Sequence, residues 1–246
     1  EQPLGTPEPG RSAATRMAAF AAHARRISGM ALESYADLHA WSIDAPEQFW
    51  AAIWSFCGVL GERGERVLVD PHRMPGAQWF PDARLNFAQN LLRDCGNSEA
   101  LVFRGEDKVQ RAVSRAELRR RVAQFAAALK GAGIGAGDRV AAYLPNMPET
   151  IVAMLAAASI GAVFTSASPD FGVQGVLDRF GQTAPKALIA SDGYWYNGKA
   201  VDIRPKLAEL APRLPSVQWL ILVPYLHDDA DALAASARLQ ALDSPV

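Results

Sequence analysis

Residues 192–199 combine the residue types that are best suited to phosphate chemistry. They read DGYWYNGK after an apolar run over residues 186–191, which gives the spacing G-x-x-x-x-G-K. A nucleotide-binding P-loop shares this spacing, but it needs a Ser or Thr after the Lys and small residues between the glycines. Here Ala200 follows Lys199, and aromatic residues fill the middle. We therefore expect Lys199 to lie in a loop at a strand end and to offer a single cation to a phosphate, with a solvated loop lysine as the alternative.

A second candidate segment, residues 166–172, reads SASPDFG between an apolar run and a helical pattern. Open α/β sheets bind ligands at the carboxyl ends of their parallel strands, close to the N-termini of the helices that follow. Ser168 and Asp170 are therefore candidate ligand contacts. Either side chain could instead, or in addition, cap the next helix. Arg179 lies on that helix, and we expect it to be a structural ion-pair partner.

Alternating strands and helices are expected to position both segments. A hairpin over residues 100–104 and 108–113 comes first, followed by a helix with Ser114 and Glu117 as its capping box and Gly131 at its end. Apolar strands separated by helices predict βαβ crossovers, and hence an α/β fold with a mainly parallel sheet flanked by helices. The later strands are predicted over residues 139–144, 162–166, 186–191 and 219–223, and the helices over residues 148–160 (behind Asn146 as cap), 172–182 and 205–210.

A small helical cap is expected to precede the α/β part. Helical patterns cover residues 15–30, a second stretch that begins near Pro46 and carries the aromatic residues up to position 57, and residues 84–93, with an extended connector over residues 70–81. We interpret the aromatic residues of the second stretch as core packing against the following domain rather than a cofactor site. The predicted domains are a flexible leader (residues 1–14), the helical cap and connector (residues 15–95) and the first α/β part (residues 96–246).

Composition and charge exclude several classes of function. The 25 Lys and Arg residues balance 26 Asp and Glu residues, so no overall field favours nucleic acid or an anionic membrane as a partner. The longest apolar run, residues 151–164, is shorter than the roughly 20 residues of a membrane span, and no signal peptide is recognised. Two cysteines without C-x-x-C spacing suit a reducing compartment, so we expect a cytoplasmic protein.

Two other patterns carry no chemistry in this interpretation. The glycines at positions 131, 133, 135 and 137 close a helix and lead into a strand, whereas a dinucleotide fingerprint follows a strand and opens a helix. The four histidines are scattered without ligand spacing, so no metal site is predicted. No G-x-S-x-G elbow for a serine nucleophile is present, and no catalytic residue is assigned.

The text over residues 168–199, SPDFGVQGVLDRFGQTAPKALIASDGYWYNGK, closely resembles the acetoacetyl-CoA synthetases. These enzymes belong to the acyl-adenylate-forming (AMP-binding) superfamily, together with acetyl-CoA synthetase. The likeness runs from about residue 35 to residue 223, and its first part, including Phe49-Trp50 and Ile53-Trp54, resembles the N-terminal cap of those enzymes. The resemblance implies an incomplete AMP-binding domain preceded by that cap.

The same resemblance implies a coenzyme A site. Related synthetases carry a glycine-containing turn beside the pantetheine and nucleotide of coenzyme A, where this chain has Ser168-Pro169-Asp170. They also hold the 3′-phosphate with two arginines whose positions match Tyr196 and Lys199, and only Lys199 keeps the charge. The predicted coenzyme A contacts are therefore Lys199, Tyr196, Ser168 and Asp170.

The reaction implied is activation of acetoacetate by Mg²⁺ and ATP to an acyl-adenylate, followed by transfer to coenzyme A. That chemistry needs a Ser/Thr/Gly-rich loop ending in Pro-Lys, and neither Pro185-Lys186 nor Pro205-Lys206 follows such a run. We therefore expect the N-terminal part of a longer synthetase, inactive alone, with the remainder of its own polypeptide as partner. The alternatives are an acetyl- or propionyl-CoA synthetase part, a P-loop-like nucleotide-binding protein, and an interaction module that self-associates.

Overall fold

The computed structural model of the protein describes Gly5 and residues 9–227. The chain forms two compact units, with the boundary between Leu85 and Asn86. The leader predicted over residues 1–14 lies partly outside the described residues, and its described part includes helix α1 (Pro9–Ala13). Across the described residues, no helix is both long and apolar enough to cross a membrane.

The first unit is a helical cap with short strand pairs. The helices predicted over residues 15–30 and from near Pro46 are confirmed, and an additional helix follows Ser34, whose side chain forms a capping box with Asp37. The aromatic residues form a core inside this unit: the Phe20 ring packs edge-on against Phe49 and Phe56 at centroid distances of 5.6 and 5.2 Å. The elements of this unit after α1 are α2 (Arg16–Ser28), α3 (Tyr35–Asp44), α4 (Pro46–Phe56), β1 (Gly61–Glu62), β2 (Leu68–Val69), β3 (Gln78–Trp79) and β4 (Arg84–Leu85).

Two predictions in this unit are wrong in detail. The connector over residues 70–81 includes β3, which pairs antiparallel with β2. The predicted helix over residues 84–93 begins with β4, which pairs with β1, and only α5 (Phe87–Leu91) is helical. The helix starts late because Asn86 is its N-cap, with a side chain that accepts a hydrogen bond from the Gln89 backbone N–H at 3.0 Å.

The second unit is the α/β part, and it confirms the predicted alternation of strands and helices. Helix α6 follows the predicted hairpin, and the Ser114 side chain caps it by accepting from the Glu117 N–H at 3.2 Å. The elements after α5 are β5 (Glu99–Gly105), β6 (Val109–Ser114), α6 (Arg115–Gly131), β7 (Arg139–Tyr143), α7 (Pro148–Ser159), β8 (Val163–Ala167), α8 (Val173–Thr183), β9 (Ala187–Ser191), β10 (Gly193–Tyr196), β11 (Lys199–Asp202), α9 (Arg204–Leu210) and β12 (Trp219–Val223).

A parallel sheet of four strands in the order β12-β9-β7-β8 forms the centre of this unit. Helices α6 and α7 pack on one face with Ala187 and Ile189 of β9, and helices α8 and α9 pack on the other face with Leu188 and Ala190. The alternate burial follows the two-residue period of a strand covered on both sides. The predicted fold class, α/β with a mainly parallel sheet, is confirmed.

The strand order creates a switch point between β7 and β9. The chain leaves β7 towards β8 on one side and leaves β9 towards β12 on the other. Adjacent strands whose connections diverge in this way leave a crevice at their carboxyl ends, where open α/β sheets bind ligands. Tyr143 and Ser191 are the last residues of these two strands, and both are fully buried.

Candidate functional site

Residues 193–202 form a β-hairpin at this edge of the sheet, so the prediction of a loop around Lys199 is wrong. Tyr196 lies directly opposite Lys199 in the antiparallel register. Asn197 and Gly198 form the two-residue turn between them, with φ angles of 50° and 73°. Asn-Gly is the preferred sequence for such a turn, because both residues tolerate positive φ. In this register, backbone N–H groups of the hairpin are used in pairing between the two strands. A P-loop would need its backbone N–H groups for binding phosphates.

The two faces of this hairpin carry different side chains. Residues directly opposite each other in an antiparallel pair point to the same face, and the face alternates along each strand. Tyr194, Tyr196 and Lys199 therefore share one face, whereas Trp195 is on the other face with Lys108 Nζ 5.9 Å from its ring centroid. Tyr196 and Lys199 are exposed, and no carboxylate of the described residues forms an ion pair with Lys199.

Residues 168–171 form a tight turn after β8. The Phe171 N–H donates to the Ser168 carbonyl at 3.1 Å, and the Ser168 hydroxyl donates to the Asp170 carboxylate at 2.8 Å. Pro169 supplies the fixed φ that suits the second position of such a turn. The N-cap of α8 is Gly172 without a side-chain cap, so the alternative role of Ser168 or Asp170 as capping group is not observed.

The pKa values of Asp170 and Tyr194 reflect an interaction between the turn and the hairpin. The pKa of Asp170 is lowered first by the Tyr194 hydroxyl and then by the hydrogen bond from Ser168. Burial, followed by the interaction with Asp170, raises the pKa of Tyr194 to about 12. The four predicted contact residues therefore belong to two segments, the turn and the hairpin, which follow β8 and β9 at the same edge of the sheet.

Two further side chains form hydrogen bonds with carbonyl groups of the 168–171 turn. The Tyr143 hydroxyl lies 2.9 Å from the Pro169 carbonyl oxygen and 2.6 Å from the Phe171 carbonyl oxygen, and burial raises its pKa to about 12. The Lys206 ammonium, from α9, donates to the Pro169 carbonyl at 3.0 Å. Tyr143, Tyr194 and Lys206 were not predicted from the sequence. Only Tyr194 had a sequence signal, because its two-residue spacing from Tyr196 becomes informative once the Asn-Gly turn is recognised.

Arg179 interacts with this turn differently from the prediction. Its guanidinium carbon lies 4.1 Å from the centroid of the Phe171 ring, and Nη1 donates to the Gly175 carbonyl at 2.8 Å. The expected structural role is therefore met by a cation–π contact, and no ion pair of Arg179 is found among the described residues.

The end of β9 is followed by a buried carboxylate at a position that was predicted to be loop. Asp192 is fully buried, and it accepts hydrogen bonds from the backbone N–H groups of Tyr225, Leu226 and His227 at 2.7 to 3.1 Å. The adjacent Ser191 hydroxyl is buried without a hydrogen-bond partner. Asp192 thus fixes the segment after β12 to the same edge of the sheet.

A contact from a neighbouring hairpin holds the tip of the 193–202 hairpin. Glu106, in the turn between β5 and β6, accepts a hydrogen bond from the Gly198 N–H at 2.7 Å. The edge therefore offers an exposed ammonium (Lys199) and a phenol (Tyr196) as donors to an anionic group, and a carboxylate (Asp170) as an acceptor. Over the described residues, no group of three or more His, Cys, Asp and Glu side chains could hold a metal ion.

Comparison with known proteins agrees with this architecture. The family model described as acetyl-coenzyme A synthetase N-terminus matches residues 35–91, and the model described as AMP-binding enzyme matches residues 87–244. A solved structure, acetoacetyl-CoA synthetase from Streptomyces lividans, superposes with a TM-score of 0.89 at 44% identity, covering 94% of this chain and 36% of that one.

Curated relatives give the same family. Acetoacetyl-coenzyme A synthetase of Rhizobium meliloti (strain 1021) is 50% identical over 230 residues, which are 94% of this chain and 35% of the relative. Malonamoyl-CoA synthetase of Penicillium aethiopicum is 34% identical over 232 residues, 91% of this chain and 32% of the relative. The chain thus spans about a third of the length of these relatives. Because the second family model covers well over half of its residues, the chain belongs to the AMP-binding enzyme family.

Proposed function

We propose that this chain is the N-terminal part of an ATP-dependent acid–CoA ligase whose acid is acetoacetate. In that reaction the carboxylate of the acid attacks the α-phosphorus of Mg²⁺-bound ATP, which yields an acyl-adenylate and pyrophosphate. The thiolate of coenzyme A then attacks the acyl carbon, and AMP leaves. The names of the Rhizobium and Streptomyces relatives support this assignment. The cytoplasm is the compartment we propose, because the two cysteines have neither metal nor C-x-x-C spacing.

The part of the reaction that we assign to this chain is the binding of coenzyme A. The observation that carries the assignment is that the 168–171 turn and the hairpin bearing Lys199 follow β8 and β9 at the same carboxyl edge of the parallel sheet. In this proposal Lys199 receives the 3′-phosphate as a point charge. Tyr196 donates to the same phosphate or stacks on the adenine.

The polar groups of the turn would contact the rest of coenzyme A. An ionised carboxylate accepts hydrogen bonds only, and it repels a phosphate. Asp170 is therefore assigned to a donor group, such as an amide N–H of the pantetheine, and Ser168 orients it through their 2.8 Å hydrogen bond. We assign no adenylation residue to this chain, and we expect the 246-residue polypeptide alone to show no ATP–pyrophosphate exchange.

The test is Lys199→Ala in the complete ligase. The KM for coenzyme A should rise roughly 2- to 10-fold, at the lower end if solvent screens the exposed ammonium. ATP–pyrophosphate exchange with acetoacetate should be unchanged, since adenylation precedes the use of coenzyme A. With dephospho-coenzyme A the variant and the unchanged enzyme should have the same KM. Lys108→Ala is the matched control, because this lysine lies on the opposite face of the hairpin, against Trp195.

Two outcomes would contradict the assignment. An equal rise of KM with coenzyme A and dephospho-coenzyme A would exclude contact with the 3′-phosphate. Equal damage to exchange and to thioester formation would indicate a folding defect.

For the acid, kcat/KM should be highest with acetoacetate among acetoacetate, malonamate, acetate and propionate. Malonamate is included because the Penicillium relative is a malonamoyl-CoA synthetase.

A further inference from the structure

We propose that Tyr143 and Lys206 are positioning residues for coenzyme A, which act by holding the 168–171 turn against the hairpin. This inference rests on the proposed function, because it concerns the same binding site. Neither side chain is among the predicted contacts, and neither needs to touch coenzyme A. Both side chains form hydrogen bonds with the same two carbonyl groups of the turn.

The carbonyl groups of Pro169 and Phe171 accept hydrogen bonds from side chains of two separate elements. Tyr143 Oη, at the end of β7, lies within 2.9 Å of both carbonyl oxygens. Lys206 Nζ, from α9, lies 3.0 Å from the Pro169 oxygen and 3.5 Å from the Phe171 oxygen. Pro169 is buried, and a buried carbonyl group needs such a donor; the hydrogen bond within the turn goes to the Ser168 carbonyl instead. The two side chains therefore determine the height of the turn above the sheet.

The contacts also connect the turn to the proposed phosphate ligand. Lys206 holds the turn from α9, and α9 begins two residues after the end of β11, whose first residue is Lys199. Strand β11 pairs with β10, and the Tyr194 phenol of β10 interacts with Asp170 of the turn and lowers the pKa of that carboxyl group. Loss of the contact from Lys206 or Tyr143 would let the turn move relative to Lys199.

Loss of one hydrogen bond to the turn should weaken the binding of coenzyme A without unfolding the protein. Removing a single donor from a carbonyl leaves the fold intact when the side chain keeps its volume, as in Tyr143→Phe. The looser turn would bind coenzyme A more weakly, because ordering it again costs free energy during binding. Adenylation does not use this turn in the proposed function. The signature of positioning is thus a higher KM for coenzyme A without a loss in the first half-reaction.

The experiment compares Tyr143→Phe and Lys206→Met with Lys199→Ala in the complete ligase. Each of the first two should raise the KM for coenzyme A roughly 3- to 10-fold, the size expected for one hydrogen bond. ATP–pyrophosphate exchange should stay within about twofold of the unchanged enzyme, because a single hydrogen bond to this turn is not part of adenylation. Lys206→Arg should restore the KM, because a guanidinium can donate to the same carbonyls.

Combining Tyr143→Phe with Lys199→Ala should raise the KM less than the product of the separate effects. The reason is that a displaced turn matters less once the phosphate contact is absent.

The possible outcomes separate this inference from the proposed function. If Lys199→Ala raises the KM for coenzyme A but neither Tyr143→Phe nor Lys206→Met does, the positioning role is overturned and the site stands. If Lys199→Ala leaves that KM unchanged, the proposed site itself is wrong. Equal loss in both half-reactions for Tyr143→Phe would show a purely structural role. So would failure of Lys206→Arg to restore the KM.

Discussion

The fully buried carboxylate of Asp192 lies 2.8 Å from Nδ1 of His227, which donates to it beside three backbone N–H groups. This arrangement ties the segment after β12 to the end of β9, across 35 positions of the sequence. A buried carboxylate with several donors is costly to alter, because each donor loses its partner. The local stability of this edge therefore depends on Asp192.

Asp192→Asn should lower the free energy of unfolding by about 2–4 kcal/mol. The NH₂ group of the asparagine side chain would face backbone N–H groups that now donate to the carboxylate. Urea unfolding followed by circular dichroism measures the change. Asp107→Asn is the matched control, since that carboxylate is 77% exposed and its replacement should cost less than about 0.5 kcal/mol. Equal stability of the two variants would contradict this account.

Glu117 should give the protein a component of acid sensitivity. Hydrogen bonds from Arg120 and then Arg121 lower its pKa from 4.5 to about 2. A carboxyl group with a depressed pKa stabilises the folded state fully above its unfolded pKa, and that contribution disappears as the pH falls from about 4.5 towards 2. The urea midpoint should therefore fall more over this interval than in Glu117→Gln. An NMR titration should show the Glu117 midpoint move upward in Arg120→Gln.

Tyr194 should titrate late at alkaline pH. Its pKa is raised from 10 to about 12, first by burial and then by the bond to Asp170. The folded state therefore holds the phenol proton more tightly than the unfolded state, so this contribution is complete below pH 10 and is lost between pH 10 and 12. The difference in phenolate absorbance between the unchanged protein and Tyr194→Phe gives the midpoint. Asp170→Asn should lower that midpoint only partly, and no change at all would argue against the Tyr194–Asp170 bond.

The turn of the 193–202 hairpin should be sensitive to substitution. Gly198 has a φ of 73°, which a residue with a Cβ adopts at a cost of about 1–2 kcal/mol. Gly198→Ala should therefore lower the free energy of unfolding by about that amount and should raise the KM for coenzyme A in the complete ligase. Gly135→Ala is the control, because no atom lies within 4 Å of the added Cβ at either glycine and only Gly198 has a positive φ. Equal effects of the two substitutions would show that the turn conformation is not the cause.

The sheet and its helices could be predicted from the sequence because their signals are local. The runs that form β7, β8, β9 and β12 are short, apolar and separated by amphipathic patterns, and no end of these strands differs from its predicted position by more than one residue. The predicted cap of α7 is wrong although its first residue is right: the N-cap is Met147 rather than Asn146, with Pro148 in the first turn.

The G-x-x-x-x-G-K spacing predicts a loop here, whereas Asn197-Gly198 forms the turn of a hairpin. The alternation of Tyr194 and Tyr196 is itself typical of a strand, and the turn sequence supports it locally. A motif defined by spacing alone ignores the conformation of the residues between its fixed positions. Here those residues are aromatic and pair across the hairpin.

The contacts that complete the site could not be predicted, because they join residues far apart in the sequence. Tyr143 reaches Pro169 over 26 positions, and Lys206 reaches it over 37. Nothing in the local pattern of β7 or α9 distinguishes these side chains from ordinary core and surface residues. The predicted domain limits, the coenzyme A contacts and self-association of the chain stay predictions.

The hydrogen bond from Gly198 to Glu106 implies that the arm bearing Lys199 is held at its far end as well as at its base. A hairpin held at both ends loses little backbone conformational freedom when its lysine binds an anion. Its capture of a phosphate would then be limited chiefly by the loss of hydration and of side-chain rotation. The enthalpy and entropy of that capture should resemble those of a rigid receptor.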